Sequence, residues 1–167
     1  MSEKTVIDKE ITFGDGEFIV SKTDLSGRIA YGNELFIRIS GYTEPELLGK
    51  AHSILRHPDM PRTIFKLLWE TVQSKREIFA YVKNRTKEGA YYWVLAQVTP
   101  SFDDAGSVIG YHSVRRKPSR EAVAKVSALY RKMLDAERGG GMEASKKILM
   151  QEIEKTGGTY ESYILAL

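Results

Sequence analysis

Cysteine is absent from this chain of 167 residues, and long apolar runs are absent as well. Without cysteine, the chain can hold no disulfide framework, no thiolate zinc site, no iron–sulfur cluster and no cysteine nucleophile or photoadduct. The longest apolar runs, residues 91–96 and 163–167, fall far short of the roughly 18 residues that a membrane span needs. We therefore expect no direct insertion into a membrane.

An export signal and a strong charge of one sign are also missing. The first ten residues are charged and lack an apolar core, which predicts a cytoplasmic protein. The 25 Lys and Arg residues only slightly outnumber the 22 Asp and Glu residues, and the two signs are mixed along the chain. Such mixing is typical of a solvated surface, so we expect no nucleic-acid binding.

Sequence motifs of the common enzyme classes are missing too. The chain contains no HExxH, GxSxG, P-loop or GxGxxG pattern. Gly139, Gly140 and Gly141 follow a helical pattern, so they predict a linker and not a phosphate-binding loop. Asp103 and Asp104 lie in a predicted hairpin turn, and turn formation explains both carboxylates. We therefore expect that the protein is not an enzyme.

Strand-like patterns bounded by turn residues predict five strands, and apolar residues at helical spacing predict short helices between them. The predicted strands cover residues 17–23, 28–31, 77–84, 90–99 and 107–115. The predicted helices cover residues 34–39, 43–49 and 61–74, and residues 52–58 are irregular. The hairpins are antiparallel and no βαβ unit recurs. The prediction is an α+β fold, in which one five-stranded antiparallel sheet carries short helices on one face.

The character of the sequence changes after Pro118. Residues 119–138 and 142–155 predict two helices joined by the glycine linker, and residues 159–167 form a tail with no predicted element. The first helix carries one apolar stripe, which must pack against the sheet or against a second copy of the chain. The predicted organisation is an N-terminal arm (1–16), a central domain (17–118) and a C-terminal helical extension (119–167).

The segment from Arg56 to Pro61 concentrates a cation, an imidazole and a carboxylate just before a predicted helix. The free N–H groups of a helix N-terminus bind anions, and the Arg56 guanidinium fits phosphate oxygens. The segment therefore indicates a candidate phosphate site that includes Arg56, His57 and Asp59. The alternative is structural: Asp59 caps the helix, while Arg56 and His57 are solvated.

A second group of candidate residues is aromatic. Trp69 lies in the helix after this segment, and the two strongest predicted strands contain Tyr81, Tyr91, Tyr92 and Trp93. Strand alternation places Tyr91 and Trp93 on one face and Tyr92 on the other. These rings form either ordinary core or a wall for a flat aromatic ligand. In the second case, Asn84 offers the amide donor and acceptor that the edge of a heteroaromatic ring requires.

Several segments together resemble a PAS domain. Residues 23–27, 31–36 and 40–49 resemble the first half of that domain, and residues 82–94 with the hairpin at 103–111 resemble the second half. The resemblance covers about residues 10–118 and includes strand order, turn glycines and motifs. It implies the PAS fold, with a five-stranded antiparallel sheet and short helices on one face, followed here by C-terminal helices.

A narrower resemblance lies in the phrase Arg-His-Pro-Asp-Met-Pro at residues 56–61, together with Trp69 and the phrase Val-Lys-Asn-Arg at residues 82–85. This combination resembles the flavin-binding PAS domains of the aerotaxis-receptor type. The resemblance implies FAD as the cofactor. It also implies which residues bear on FAD binding, namely Arg56, His57, Asp59, Trp69 and Asn84.

The same resemblance implies a non-catalytic sensor of redox state or energy level, whose conformation changes with the oxidation state of the flavin. No receptor-like signalling segment follows Pro118, so we expect the chain to pass its state to a chemoreceptor or another signalling protein, and to form a homodimer. Three alternatives stay open: a haem-binding PAS gas sensor with His57 or His112 as axial ligand, a flavoenzyme, and a ligand-free PAS module that only dimerises.

Overall fold

The computed structural model describes residues 5–167, so the first four residues of the expected N-terminal arm lie outside the described residues. Five strands form one sheet in the order β2-β1-β5-β4-β3, and all neighbouring strands are antiparallel. The strands are β1 (Ile19–Thr23), β2 (Ile29–Gly32), β3 (Ile78–Arg85), β4 (Tyr91–Phe102) and β5 (Val108–Arg116). The predicted α+β fold with a five-stranded antiparallel sheet is confirmed.

Helices fill the connection between β2 and β3 and follow β5. They are α1 (Glu34–Ser40), α2 (Glu44–Leu47), α3 (Arg62–Gln73), α4 (Arg120–Lys155) and α5 (Tyr160–Leu165). The sequence pattern does not predict α5 or the 3₁₀ turn at His52–Leu55, because one or two helical turns are too short to show a period. Within residues 5–167, no helix combines the length and the apolar character that crossing a membrane requires.

Asp24 shapes the turn between β1 and β2, as its position in the sequence predicts. Its Oδ1 accepts hydrogen bonds from the backbone N–H groups of Ser26 and Arg28, each at 2.9 Å. Gly27 completes the turn with φ of 81°, a left-handed conformation that glycine adopts readily. Asp103 closes the β4–β5 hairpin in the same way, because its Oδ1 accepts two backbone hydrogen bonds.

Strand β4 is buried on both of its faces. Tyr92 and Val94 are fully buried on the side that packs against α1–α3, which we call the inner face. Trp93 and Leu95 point to the opposite side, the outer face, and each is only 7% exposed. The alternation predicted for Tyr92 and Trp93 is therefore confirmed, and the two rings cannot belong to one ligand wall.

The C-terminal helices cover the outer face. The ring of Tyr130 in α4 lies 6.2 Å from the ring of Trp93, and its hydroxyl donates to the backbone oxygen of Tyr81 at 2.6 Å. Tyr160 in α5 donates to the backbone oxygen of Phe79 at 2.9 Å. Of the two partners expected for the apolar stripe, the sheet of the same chain is the one that the structure shows.

The expected glycine linker is shorter than predicted. Within α4, Gly141 alone has a non-helical backbone, with φ of 70° and ψ of −167°, so the element consists of two helices that meet at this residue. Gly139 and Gly140 continue the first helix. Glycine costs only about 1 kcal/mol relative to alanine inside a helix, so packing of the flanking turns can retain it there.

Replacing Tyr130 by Phe tests the docking of α4 on the sheet. The change removes the hydrogen bond to the Tyr81 carbonyl while keeping the ring, so we expect the free energy of unfolding in urea to fall by about 1 kcal/mol. Tyr31→Phe is the control, since the Tyr31 side chain is exposed and the variant loses only a hydroxyl group while keeping the ring. Equal stability of the two variants would contradict the docking contact.

Candidate functional site

A cavity of about 360 Å³ lies between the inner face of the sheet and α3. We call this space the cavity. Its volume lies at the low end of the roughly 300–1,000 Å³ that is typical of small-molecule sites. Helix α3 contributes Phe65, Leu68, Trp69 and Val72 to its wall, and the sheet contributes Thr23, Val82, Asn84, Ala96, Val98, Tyr111 and Arg115.

Two aromatic rings form one end of the cavity. Trp69 and Tyr111 meet edge to face, with ring centroids 5.3 Å apart and an interplanar angle of 82°. Gly27 leaves room for the Trp69 ring, because a Cβ at that position would lie 2.9 Å from Trp69 Cη2. The glycine is thus required twice, once by its positive φ and once by the indole.

Arg115 brings a buried positive charge to the cavity wall. Its residue is 2% exposed, Nη2 donates to Ser21 Oγ, and Nη1 lies 3.3 Å from His52 Nε2. Its guanidinium carbon also lies 5.0 Å from the centroid of the Phe36 ring. Among residues 5–167, no carboxylate forms an ion pair with Arg115. Burial lowers the pKa of Arg115 to about 10, so the charge persists at neutral pH.

His52 supports this guanidinium in its neutral form. Its Nε2 lies 3.2 Å from Ser21 Oγ and 3.3 Å from Arg115 Nη1, and the arginine can only donate, so Nε2 is an acceptor. Burial and the neighbouring charge of Arg115 lower the pKa of His52 to about 3. A protonated imidazole here would face a guanidinium without a counterion.

Two polar atoms of the cavity-lining residues lack hydrogen-bond partners among residues 5–167. They are Thr23 Oγ1 and Arg115 Nε, both buried. Buried polar atoms in folded proteins are nearly always hydrogen-bonded. The cavity therefore suits a ligand with a flat apolar body, which fits between aromatic and aliphatic walls, and a polar edge that accepts hydrogen bonds.

Three of the residues named from the sequence line the cavity: Arg56, Trp69 and Asn84. Arg56 pairs with Asn84 through an isolated antiparallel bridge, and its guanidinium carbon lies 4.4 Å from the centroid of the Phe65 ring. Asn84 is 4% exposed, on the inner side of β3. The structure thus brings a cation, an indole and an amide together around one space.

His57 and Asp59 do not line the cavity. His57 is buried, and its Nδ1 accepts the backbone N–H of Asp59 at 3.0 Å. Burial and the charge of Lys83 lower the pKa of His57 to about 4. The Asp59 carboxylate binds Lys83 Nζ at 2.7 Å and does not cap α3, whose N-cap is Pro61. The structural alternative considered above is therefore wrong in two respects, since His57 is not solvated and Asp59 is not the cap.

An open cleft of about 810 Å³ lies beside the cavity. We call it the cleft; its wall includes Arg56, His57, Arg62, Arg85 and Glu137. Arg56 lines both spaces. The two spaces therefore share the side chain of Arg56, the first residue of the phrase that the sequence analysis singled out.

The predicted anion site at the N-terminus of α3 is occupied by a side chain of the same protein. Glu137 accepts the backbone N–H groups of Arg62 at 3.2 Å and Thr63 at 3.0 Å, and the Thr63 hydroxyl at 2.9 Å. Burial raises the pKa of Glu137, but the hydrogen bonds from Thr63 and Arg62 outweigh it, so the pKa lies below its ordinary value. An anion does bind there, and it is supplied by α4.

Sequence reasoning missed Arg115, Ser21, His52 and Glu137. The alternation of β5 puts Tyr111, Ser113 and Arg115 on one face, and a lone arginine on an apolar face is a usable signal. The haem alternative finds no support from the histidines named for it. Neither His57 nor His112 lines the cavity, and the histidine that does, His52, uses Nε2 to accept hydrogen bonds.

Comparison with known proteins agrees with this architecture. Residues 29–115 match the protein family described as PAS fold. The chain is 38% identical over 137 residues to the aerotaxis receptor of Escherichia coli (strain K12), which covers 82% of this chain and 27% of the receptor. It is 28% identical over 97 residues to the nitrogen fixation regulatory protein of Klebsiella pneumoniae, covering 58% of this chain and 20% of that protein. The chain thus spans only a minor part of these relatives.

Solved structures share the fold. A light–oxygen–voltage domain studied with a flavin analogue superposes with a TM-score of 0.58 at 21% identity, covering 65% of this chain and 82% of that one. The light state of the blue-light photoreceptor aureochrome 1 domain gives 0.57 at 23% identity, covering 69% of this chain and 90% of that one. The chain belongs to the PAS family.

The buried pair of His52 and Arg115 predicts a pH dependence of stability. Unfolded histidine titrates near pH 6.5, whereas His52 in the folded protein stays neutral to about pH 3. Protonation of the unfolded chain below pH 6.5 therefore favours unfolding, and the free energy of unfolding falls with pH by up to about 1.4 kcal/mol per unit for this group. We expect His52→Asn to flatten this slope between pH 6.5 and 4 in urea unfolding.

His112→Asn is the matched control, since His112 lies on β5 outside the cavity. It should keep the slope of the wild type. An unchanged slope in His52→Asn would show that the pKa of His52 is not lowered beside the buried guanidinium.

Proposed function

We propose that the protein is a non-catalytic PAS sensor that binds FAD, with the flavin ring in the cavity. The observation that carries the proposal is the cavity itself. It combines an aromatic end at Trp69 and Tyr111 with polar groups from Asn84, Thr23 and Arg115. A bound flavin would supply reversible electron uptake, which makes the site a sensor of redox state.

The residues present fit such a ring. Isoalloxazine is flat and largely apolar, with donors and acceptors along one edge. Trp69 and the aliphatic side chains of the sheet suit its faces, and the Asn84 amide can both donate and accept at its edge. Arg115 Nε and Thr23 Oγ1 are buried without hydrogen-bond partners in the described part of the chain, and they suit carbonyl acceptors. The positive charge of Arg115 favours ligand forms that carry negative charge nearby.

The cleft favours FAD over FMN. The two spaces share the Arg56 side chain, and the proposal places the flavin in the cavity and the rest of FAD past Arg56 in the cleft. Arg62 and Arg85 add positive charge to its wall, which suits a diphosphate. This assignment gives roles to Arg56, Trp69 and Asn84 in binding, and to His57 and Asp59 in positioning the segment that carries Arg56.

The relatives support a sensory role. The chain resembles an aerotaxis receptor over most of its length, and it shares its fold with light–oxygen–voltage domains, one of them studied with a flavin analogue. We infer that this cytoplasmic protein passes the state of its cofactor to a chemoreceptor or another signalling partner. Helix α3 contributes to the cavity wall and contacts α4 through Thr63 and Glu137, which gives the C-terminal helices a direct connection to the ligand.

The first experiment is identification of the cofactor. Protein purified without added ligand should show the near-ultraviolet and visible absorption bands of oxidised flavin. Heat denaturation should release FAD, which mass spectrometry distinguishes from FMN. Colourless protein that also fails to take up added FAD would contradict the proposal, and a single intense Soret band would indicate haem instead.

The two tryptophans provide a matched pair of variants. Trp69 lines the cavity, whereas Trp93 packs against Tyr130 on the outer face. We expect Trp69→Leu to weaken FAD binding by about tenfold to a hundredfold, since it removes a large apolar contact with the ligand. Trp93→Leu should lower the melting temperature and keep the affinity. Fluorescence titration of the apoprotein with FAD measures both, and the opposite pattern would rule out the cavity as the site.

We propose that the protein is a homodimer joined at the β1–β2 end of its sheet. Phe18 is 51% exposed and Tyr31 is 47% exposed there, on a part of the sheet away from the Tyr130 contact. Light scattering should give about twice the chain mass of 18.9 kDa for the wild type and the chain mass for Tyr31→Glu. Phe102→Glu, at an equally exposed hairpin position, should stay dimeric. A monomeric wild type would contradict the proposal.

A further inference from the structure

Glu137 is an internal anion bound at the N-terminus of α3. Its side chain is 6% exposed, and it accepts three hydrogen bonds, from the backbone of Arg62, the backbone of Thr63 and the Thr63 hydroxyl. The N-cap of α3 is Pro61, which offers no side-chain acceptor. The first two N–H groups of this 12-residue helix are therefore satisfied by a carboxylate that lies 74 residues beyond Thr63 in the chain.

Arginines line the same cleft as Glu137. They include Arg56 and Arg62, and Arg62 Nε lies 3.7 Å from Glu137 Oε2. His57 also forms part of this wall, and its buried Nε2 has no hydrogen-bond partner among residues 5–167. This set of groups would bind a polyanion of higher charge than a single carboxylate.

We propose that Glu137 competes with the diphosphate of a bound nucleotide for the N-terminus of α3, so that filling the cleft weakens the contact that holds α4 to α3 beside Gly141. The proposal rests on the proposed function in that FAD is the expected carrier of the diphosphate. Two anions cannot share the same N–H groups, so each lowers the affinity for the other. By linkage, a ligand that displaces the carboxylate weakens the docking of α4 by the same free energy by which the carboxylate weakens the ligand.

The position of Glu137 determines which part of the chain is loosened. It lies four residues before Gly141, where α4 changes direction. The Thr63 hydroxyl also lies 3.4 Å from the backbone oxygen of Met142, just after that break. Residues 142–167 are held by this cluster, by the Tyr160 hydroxyl, which donates to the backbone of β3, and by the buried side chains of Leu149, Ile153, Tyr163 and Ile164. Loss of the first contact therefore loosens the junction around Gly141, while the buried side chains keep the rest of the segment in place.

ADP is the probe for the test, because it carries the diphosphate without the flavin. Calorimetry would compare the wild type with Glu137→Gln, which keeps the shape of the side chain and removes its charge. We expect the variant to bind ADP about tenfold more tightly, since a hydrogen-bonded charge no longer competes. Adenosine, which lacks the phosphates, should bind the two proteins equally.

Asp135→Asn is the matched control. Asp135 lies two residues away on α4, and its side chain is 66% exposed. It forms an ion pair with Arg138 of the same helix, whereas Glu137 binds α3. The control removes one negative charge from the same helix, so it separates competition at α3 from a general change in charge. It should bind ADP as the wild type does, and a tenfold gain in this variant would overturn the proposal.

Amide hydrogen exchange on the wild-type chain provides the second readout. Saturation with ADP should increase exchange at the junction, residues 137–145, and Glu137→Gln should show increased exchange there before ADP is added. Unchanged exchange in the wild type, or equal ADP affinity of wild type and Glu137→Gln, would overturn the competition. The wild-type measurement decides alone if the variant does not fold.

The result also separates this inference from the proposed function. Binding of FAD with no competition between ADP and Glu137 would overturn the inference and leave the flavin assignment intact. Competition by ADP in a protein that does not bind FAD would support the inference and overturn the flavin assignment.

Discussion

The sheet has to be covered on both faces, because β4 carries large apolar side chains in both directions. Tyr92 and Val94 are buried beneath α1–α3, and Trp93 is buried beneath Tyr130 of α4. A central domain without its C-terminal helices would expose Trp93 and leave the Tyr81 carbonyl without the Tyr130 hydroxyl. The C-terminal helices are therefore part of the folded unit, and any movement of the inner face or of α3 acts on elements that pack directly against them.

The helices that cover the inner face do not fill it completely, and the cavity remains between the sheet and α3. The buried guanidinium of Arg115 lines this cavity. Taking a guanidinium out of water is costly unless its donors are satisfied. Ser21 and His52 satisfy part of Arg115, and His52 does so only while it is neutral. Because no carboxylate among residues 5–167 pairs with Arg115, the positive charge is not cancelled within the described chain. The protein thus keeps a positive charge that can attract an anionic group of a ligand, and the neutral His52 beside it lowers stability in acid.

Sequence reasoning predicted the local structure well, because strands, turns and long helices are decided by neighbouring residues. It also brought Arg56, Trp69 and Asn84 to one space, through the family resemblance. It grouped His57 with Arg56, although the backbone is extended at Arg56 and successive side chains of an extended segment point to opposite sides. That segment crosses the edge of the sheet beside Asn84, so Arg56 reaches the cavity, whereas His57 meets the Tyr91 ring. Neighbours in sequence are here separated by the sheet edge.

The remaining difference between the sequence-based prediction and the structure concerns the anion at the N-terminus of α3. The prediction was a phosphate of a ligand, and the structure shows the carboxylate of Glu137. The physical expectation that the N-terminus of α3 attracts a negative charge was correct, because its N–H groups and dipole require one. A sequence pattern cannot show that Glu137 fills this place, since the contact depends on how α4 lies across the sheet and on the break at Gly141. The same attraction acts on a side chain of the protein and on a phosphate of a ligand. Where a helix N-terminus faces both, the docking of one element and the binding of one ligand draw on the same hydrogen bonds, and neither can change without affecting the other.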